Sequence, residues 1–454
     1  MTQTYDVVVL GGGPSGLAAA IALAARGHRV VVLERFPLTR PRVGETFGPE
    51  IAAPLGTLGV WDDFRAVASV AYRGVRSAWG SDEIVERSSI VNPLGEGFHV
   101  DRARFDAMLV AAAKRAGVTI LEDVGVTQVQ GGPGPWQLLV RGGDPISCRF
   151  LVIAAGRYAP VGSLGPITRQ WIPCDRTVGI LWRLSLPAGR EVEPGLFLES
   201  VEEGWWYVAP QPEGNLLFVL LTDGDDEIMA SGRSPAVLAT RLQEALARTR
   251  HARALADGGT FEDAPRIVLA CPGMMLPDRG PGFRAVGDAS VAGDPLAGDG
   301  VTRGLRSALA AAADIDRALA EGAEDVAPAG AADAPSWLAG HLDRRLQYYR
   351  AEQRWPDSLF WMRRHGLDWQ NEPIGLDPTE PLCWDGSKPD RRLIAPIEGV
   401  LPILAIERVL EFLRSPRPAH EALSALKVIA PLGDRRLLVG LQALVERGIV
   451  VPTG

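Results

Sequence analysis

The sequence predicts an α/β protein in which a nucleotide-binding domain is interrupted by an antiparallel sheet and followed by a mostly helical tail. Three observations carry this expectation. Residues 5–34 hold one complete β-α-β unit around glycines at fixed spacing. Between about 160 and 265 the pattern changes to strands of an antiparallel type. Beyond an Ala/Gly/Asp/Pro-rich stretch at 322–335, which reads as a linker, the chain becomes tryptophan-rich and then helical.

In the first unit an apolar run, Val7 to Leu10, enters Gly11, Gly13 and Gly16 at G-x-G-x-x-G spacing. A small-residue helix, Leu17 to Arg26, ends before Gly27, and a β-branched run, Val30 to Leu33, ends in Glu34. Glycines at these positions permit a tight turn, let the backbone approach a pyrophosphate, and bring helix against strand. The helix N-terminus then offers N–H groups and a positive dipole end to phosphate. Glu34 stands where an acid would accept from a ribose hydroxyl. This unit alone predicts a dinucleotide and leaves NAD and FAD both open.

Composition removes several classes. The chain has 454 residues, 46% hydrophobic and 22% charged, which suits two or three globular domains. Its net charge of −8 argues against general binding to nucleic acid or an anionic membrane. Nearly all positive charge is arginine, the only lysines being Lys114, Lys388 and Lys427. Cys148, Cys174, Cys271 and Cys383 lie far apart, so reduced thiols and no metal site are expected. The N-terminus runs straight into a core strand and no 18-residue apolar stretch occurs. No signal peptide or membrane helix is expected, and the expected location is cytoplasmic.

Further along, an Arg/Pro/Gly-rich loop follows Glu34, and a helix is expected over Pro49–Leu58. Asp101 is the expected N-cap of a helix reaching Ala116. Val118–Leu121, Val124–Gln130, Trp136–Arg141 and Cys148–Ile153 read as strands of a meander. Val178–Leu186, Gly195–Ser200, Trp205–Pro210 and Asn215–Leu221 read as the inserted sheet, with a helix over Pro235–Arg250. Phe283 to Asp288 reads as a strand ending in an acid, followed by ASVAGDPLAGDGVTRGL and an alanine-rich helix from about Val301 to Ala320. The stretch 337–384 holds five of the twelve tryptophans, and 393–451 reads as three short helices and a terminal strand, much like a winged helix. The expected domains are 1–75, 99–160 and 266–325 for the nucleotide, 76–98 and 161–265 for the substrate, and 336–454 for the tail.

Three separated stretches agree on a family. GGGPSG with Glu34, then Arg102-Ala-Arg104-Phe105-Asp106, then Gly287-Asp288 with Asp294-Pro295-Leu296-Ala297-Gly298-Asp299-Gly300, resemble the single-component FAD monooxygenases. Val43-Gly44-Glu45-Thr46, Ala155-Gly156-Arg157 and the D-P-L-x-G-x-G form of the third motif resemble the branch holding flavin-dependent halogenases and geranylgeranyl reductases. The resemblance implies a Rossmann-type FAD-binding domain. By position it assigns Gly11, Gly13, Pro14, Ser15 and Gly16 to the pyrophosphate and Glu34 to the adenosine ribose. It assigns Arg104 to a phosphate or the adenine side and Asp288 to the ribityl chain or phosphates. Pro295 would lie near the isoalloxazine, with Gly298, Gly300 and Val301 opening a helix towards its pyrimidine edge. Arg35, Arg42, Thr46 and Gly156 complete the expected cofactor set.

The resemblance also implies chemistry. Reduced FAD, formed by NAD(P)H or by a partner reductase, would react with O2 to a C4a-hydroperoxide that hydroxylates an electron-rich aromatic ring. Glu45, Trp205, Tyr207 and Asp299 are the expected catalytic residues, with Trp206 and Asp294 beside them. Glu45 or Asp299 is the expected proton acceptor, while Trp205 and Tyr207 alternate in a strand and could equally be core. Halogenation is disfavoured, because the halogenases need a lysine in a region where none lies between Arg35 and Ala113. Two alternatives stay open: a reductase of the geranylgeranyl type and a non-catalytic flavin-bearing maturation factor. The tail has nine Arg/Lys against six acids over 391–454, too mild for a nucleic-acid face. With the tail included, the architecture resembles flavin monooxygenases that hydroxylate a peptidyl tryptophan in tryptophylquinone cofactor biogenesis. That adds an aromatic side chain of a protein or peptide to the expected substrates, while a structural cap or a dimer surface stays open as the role of the tail.

Overall fold

The computed structural model describes residues 3–40, 46–72, 74–89, 92–157, 165–190, 193–211, 214–229, 234–262, 264–324 and 333–453. Its organising sheet runs Thr119–Leu121, Val30–Leu33, Gln3–Leu10, Ile146–Ile153 and Phe283–Ala285, all parallel, with Arg279–Gly280 antiparallel at the edge. Val7, Val8 and Val9 are fully buried. A strand covered on both faces carries a continuous apolar run rather than an alternating one. Val7, Val9, Val32 and Val152 face the helices Pro14–Ala24, Arg102–Arg115 and Gly300–Glu321. Val8, Leu10, Val31 and Leu151 face the hairpin of Val126–Gly131 and Trp136–Val140.

One strand expected in the meander belongs elsewhere. Thr119–Leu121 pairs parallel with Val30–Leu33 at the sheet edge, whereas Ile146–Ile153 closes the meander against Trp136–Val140 and with its other edge joins Gln3–Leu10. Helix Arg102–Arg115 precedes Thr119–Leu121, as a parallel pairing requires a crossover. Its N-cap is Asp101, which accepts from the Ala103 and Arg104 N–H groups at 2.7 and 3.2 Å.

The inserted sheet has the order Thr260–Phe261, Thr177–Ser185, Asn215–Asp223, Gly204–Pro210, Leu196–Val201, Gly74–Ala78, Val85–Ser88, with Arg266–Leu269 also pairing to Thr177–Ser185. Trp206, Val208 and Phe218 pack under helix Pro235–Ala247. Trp205, Leu217 and Val219 point to the opposite face, where Tyr349, Phe360 and Trp361 of the tail cover them. Alternation along a strand thus sends Trp205 and Trp206 into different cores.

The tail contains helices Ala334–Tyr349, Leu359–His365, Arg391–Glu398, Ile403–Phe412, Ala419–Ile429 and Asp434–Glu446. Strands Arg417–Pro418, Pro381–Cys383 and Val451–Pro452 form a small sheet within it. Its core is continuous with Ile172, Cys174, Met274 and Val291. Those residues belong to or adjoin a three-stranded sheet of Gln170–Pro173, Gly273–Leu276 and Val291–Ala292 that the sequence pattern did not reveal. Strands this short leave almost no periodic signal.

Candidate flavin site

The first glycine loop is built by close approach. Gly11 has φ +111°, and a Cβ there would lie 2.6 Å from the Ala154 carbonyl oxygen. A Cβ on Gly16 would lie 2.0 Å from the Gly11 oxygen. Helix Pro14–Ala24 starts behind Gly13 with Pro14 in its first turn and no side chain capping it. Its dipole end therefore faces outward at the glycine turn. Ser15 sits in a notch: a Cβ on either Gly287 or Gly304 would come 2.4 Å from its hydroxyl. The structure gives Ser15 a packing task between two motifs distant in sequence, beside the phosphate role expected from its position.

Glu34 is buried and shapes the same loop, accepting from the Gly12 N–H at 2.8 Å and from the Phe36 N–H at 3.1 Å. Arg35 is exposed and lies over the Phe36 ring at 4.6 Å. Arg104 is also exposed, 3.8 Å from Asp101. The arginine built into that helix is Arg102, which pairs with Asp106 at 3.2 Å. Arg42 and Glu45, with Val43 and Gly44, lie outside the described residues.

At the far end, Phe283–Ala285 leads into the turn Gly287–Ala289. Arg157 donates to Asp288 at 3.1 Å and Arg303 donates to its other oxygen at 2.7 Å. Burial alone would raise the Asp288 carboxyl; the two guanidiniums outweigh it and hold it below the usual carboxylate range. Arg157 also donates to the carbonyls of Leu269 and Cys271, just after Gly156 at φ +72°. Arg303 was not anticipated, although a signal existed. A cation in the first turn of a helix opposes the dipole, so a buried arginine there calls for an acid.

Asp294 opens the next loop, capping the turn Pro295–Ala297 by accepting from the Leu296 N–H at 2.9 Å. Gly298 is left-handed at φ +63°. Helix Gly300–Glu321 then begins after Asp299 without a side-chain cap. Pro295, Ala297, Gly298 and Gly300 are exposed, Val301 is half-buried, and Asp294, Thr302 and Arg303 on either side are buried. The result is a shelf whose flanks are fixed and whose top is open, at an uncapped helix end.

Leu296 of this shelf packs into the aromatic cluster that includes Tyr207. The Tyr207 hydroxyl is 3.0 Å from Thr46 Oγ1, which is 2.9 Å from His99 Nδ1. Thr46, expected as a cofactor ligand, thus sits in a row joining the nucleotide domain to the sheet. His99 is fully buried, and burial pushes its imidazole down to about 4, so it is neutral at ordinary pH. Trp205 is placed differently from its neighbour by two. It is 1% exposed and donates to the Tyr349 hydroxyl at 3.0 Å. That position makes it part of the seam between sheet and tail, and the expected catalytic role does not suit it.

These residues fit FAD. Two uncapped helix ends, each approached by left-handed glycines, lie on helices packed together through Ser15, Gly287 and Gly304. One suits a pyrophosphate and the other a flavin ring that carries negative charge when reduced. Among the described residues no cluster of three or more His, Cys, Asp or Glu could hold a metal, and no helix is long and apolar enough to cross a membrane.

The fold and the site define an FAD-dependent oxidoreductase. Residues 4–174 match the FAD binding domain family. The chain is 29% identical to the FAD-dependent oxidoreductase LodB of Marinomonas mediterranea over 80% of this chain and 98% of that protein. In structure it resembles the myxobacterial chondrochloren halogenase CndH at a TM-score of 0.70 and 21% identity, over 98% of this chain and 99% of that one. It also resembles the peptidyl tryptophan dihydroxylase QhpG, essential for tryptophylquinone cofactor biogenesis, at a TM-score of 0.61 and 23% identity, over 98% and 99% of the two chains. Both structural likenesses extend through the tail.

Proposed function

We propose that this protein is an FAD-dependent monooxygenase that hydroxylates an aromatic ring, with a tryptophan side chain of a protein as its substrate. The observation that carries this reading is the row Tyr207–Thr46–His99 on the sheet face where the flavin shelf packs, in a region without lysine. Bound FAD, reduced by NAD(P)H or a partner reductase, supplies an electrophilic oxygen from O2. The chain's own residues do the rest. In one orientation the Tyr207 O–H donates to Thr46 and the Thr46 O–H donates to His99 Nδ1. A proton released from the substrate ring at Tyr207 then passes inward by one shift along each bond to the His99 imidazole, which burial keeps neutral at rest and which therefore holds the proton only transiently. The buried aromatic wall around Tyr207 excludes water from this side of the ring. Hydroxylation leaves an oxygen on the ring and needs no group to carry a halogen.

The likeness to QhpG through the tail supports a protein substrate, while the likeness to CndH over the same length supports halogenation as the second reading. Product analysis separates them. The FAD-loaded, photoreduced protein is mixed with aerated buffer containing bromide and a tryptophan-containing protein. A product with added oxygen and no bromine is expected; bromine on the ring would sink the proposal.

A further inference from the structure

The tail grips the flavin shelf at one residue. Three side chains of helix Ala334–Tyr349 converge on Asp294, which is 3% exposed. Arg345 Nε lies 2.7 Å from Asp294 Oδ2. The Tyr349 hydroxyl donates to the same carboxylate at 3.2 Å. His341 Nε2 accepts from the Asp294 backbone N–H at 2.8 Å. Positions 341, 345 and 349 recur every four residues, so a single stripe of the helix presents all three.

Each is held from behind. Arg345 also pairs with Asp175, at the start of the inserted sheet. Tyr349 accepts from Trp205, in the middle of that sheet. His341 stacks on Trp337 with ring centres 4.8 Å apart, and Trp337 lies 4.8 Å beneath the Arg303 guanidinium that holds Asp288. The same helix therefore reaches both carboxylates that bracket the shelf.

The shelf needs such a hold. Between Asp294 and helix Gly300–Glu321 it consists of one short turn, Gly298 and Asp299. A helix dipole stabilises charge only over its first turn, so its aim matters. We propose that Arg345, Tyr349 and His341 are positioning residues. They fix Asp294 and thereby aim the uncapped helix N-terminus at the flavin ring, making the tail a strap on the cofactor as well as a cover for the sheet. This rests on FAD lying at the shelf and is independent of which ring is hydroxylated.

The test uses the full-length chain with FAD and no substrate. FAD affinity is read by flavin fluorescence and the flavin midpoint potential by dye-coupled titration, for Tyr349→Phe, His341→Leu, His341→Gln, Arg345→Met and Arg345→Lys. Tyr349→Phe and Arg345→Met should weaken FAD binding about tenfold and move the potential to more negative values. Arg345→Lys should recover part of both effects. His341→Leu, which removes the acceptor for the Asp294 N–H, should weaken FAD binding as well, and His341→Gln, which keeps an acceptor, should recover it; equal binding by both would remove His341 from the hold. If Arg345→Met does not fold, Tyr349→Phe carries the test, since it removes a single oxygen. Tyr349→Phe with unchanged circular dichroism, affinity and potential would overturn the proposal. A parent chain that takes up no FAD would refute the flavin site itself. Failure to hydroxylate a substrate would leave these readouts untouched, so the two failures are distinguishable.

Discussion

Acidification should weaken this protein through two histidines that the fold keeps neutral. His99 is fully buried and His341 is 4% exposed, and burial pushes each down to about 4 from an ordinary value near 6.5. Both folded values lie below the unfolded one. Between them the unfolded chain binds more protons, so stability rises with pH across this window and falls on acidification. At about pH 5 an exposed histidine is nearly all protonated, whereas one titrating at about 4 is roughly one-tenth protonated. That difference costs about 2 kcal/mol for each histidine, or about 4 kcal/mol for the pair. The assay is urea unfolding followed by tryptophan fluorescence at about pH 7 and pH 5, for the parent and for His99→Asn with His341→Gln. Asparagine places its amide near the lost Nδ1, and glutamine near the lost Nε2. Carboxylates titrate alike in both proteins and cancel in the comparison. The double variant should lose about 4 kcal/mol less than the parent on going to the lower pH. An equal loss in both would show that neither imidazole is held neutral by the fold.

Other expectations follow from single contacts. Gly16→Ala puts a Cβ 2.0 Å from the Gly11 oxygen. The helix must move, at about 1–3 kcal/mol, and FAD affinity should fall about tenfold or more by fluorescence titration. Asp288→Asn leaves Arg157 and Arg303 facing a neutral amide, so the melting temperature should fall by an amount equivalent to about 1–3 kcal/mol; an unchanged melting curve would contradict the bracket. Tyr207→Phe breaks the row to Thr46 and should lower kcat by about a hundredfold with FAD affinity intact. An unchanged kcat would remove the proton path.

The sequence made the nucleotide half legible because local chemistry dictates it. Glycine spacing, a β-branched strand and an N-cap at Asp101 each work over a few residues. The third motif was legible for the same reason, although Asp294, expected beside the catalytic residues, proves to cap the short turn that follows it. What escaped was long-range. Thr46 meets His99 across 53 positions and Tyr207 across 161, and no periodicity reports such a meeting. Ser15 resembles a phosphate ligand in sequence, yet its notch is formed by Gly287 and Gly304. Trp205 and Tyr207 share a face by alternation, but only packing shows that the first is sealed under Tyr349 while the second meets Thr46. The tail looked like an appendage because the linker before it is plainly written. Its core is shared with Ile172, Met274 and Val291, so point variants test its role better than removal would.

At this flavin shelf, oxygen from O2 should be placed on an aromatic side chain of a protein. Intact-protein and peptide mass spectrometry on the precursor of a tryptophylquinone protein tests this most directly. The precursor is treated with the FAD-loaded, photoreduced chain under ¹⁸O2 and, separately, ¹⁶O2. ¹⁸O is expected on a tryptophan of the precursor, and its loss is expected with Tyr207→Phe. Oxygen that does not carry the label, or a precursor that stays unmodified while the flavin is reoxidised, would contradict this placement.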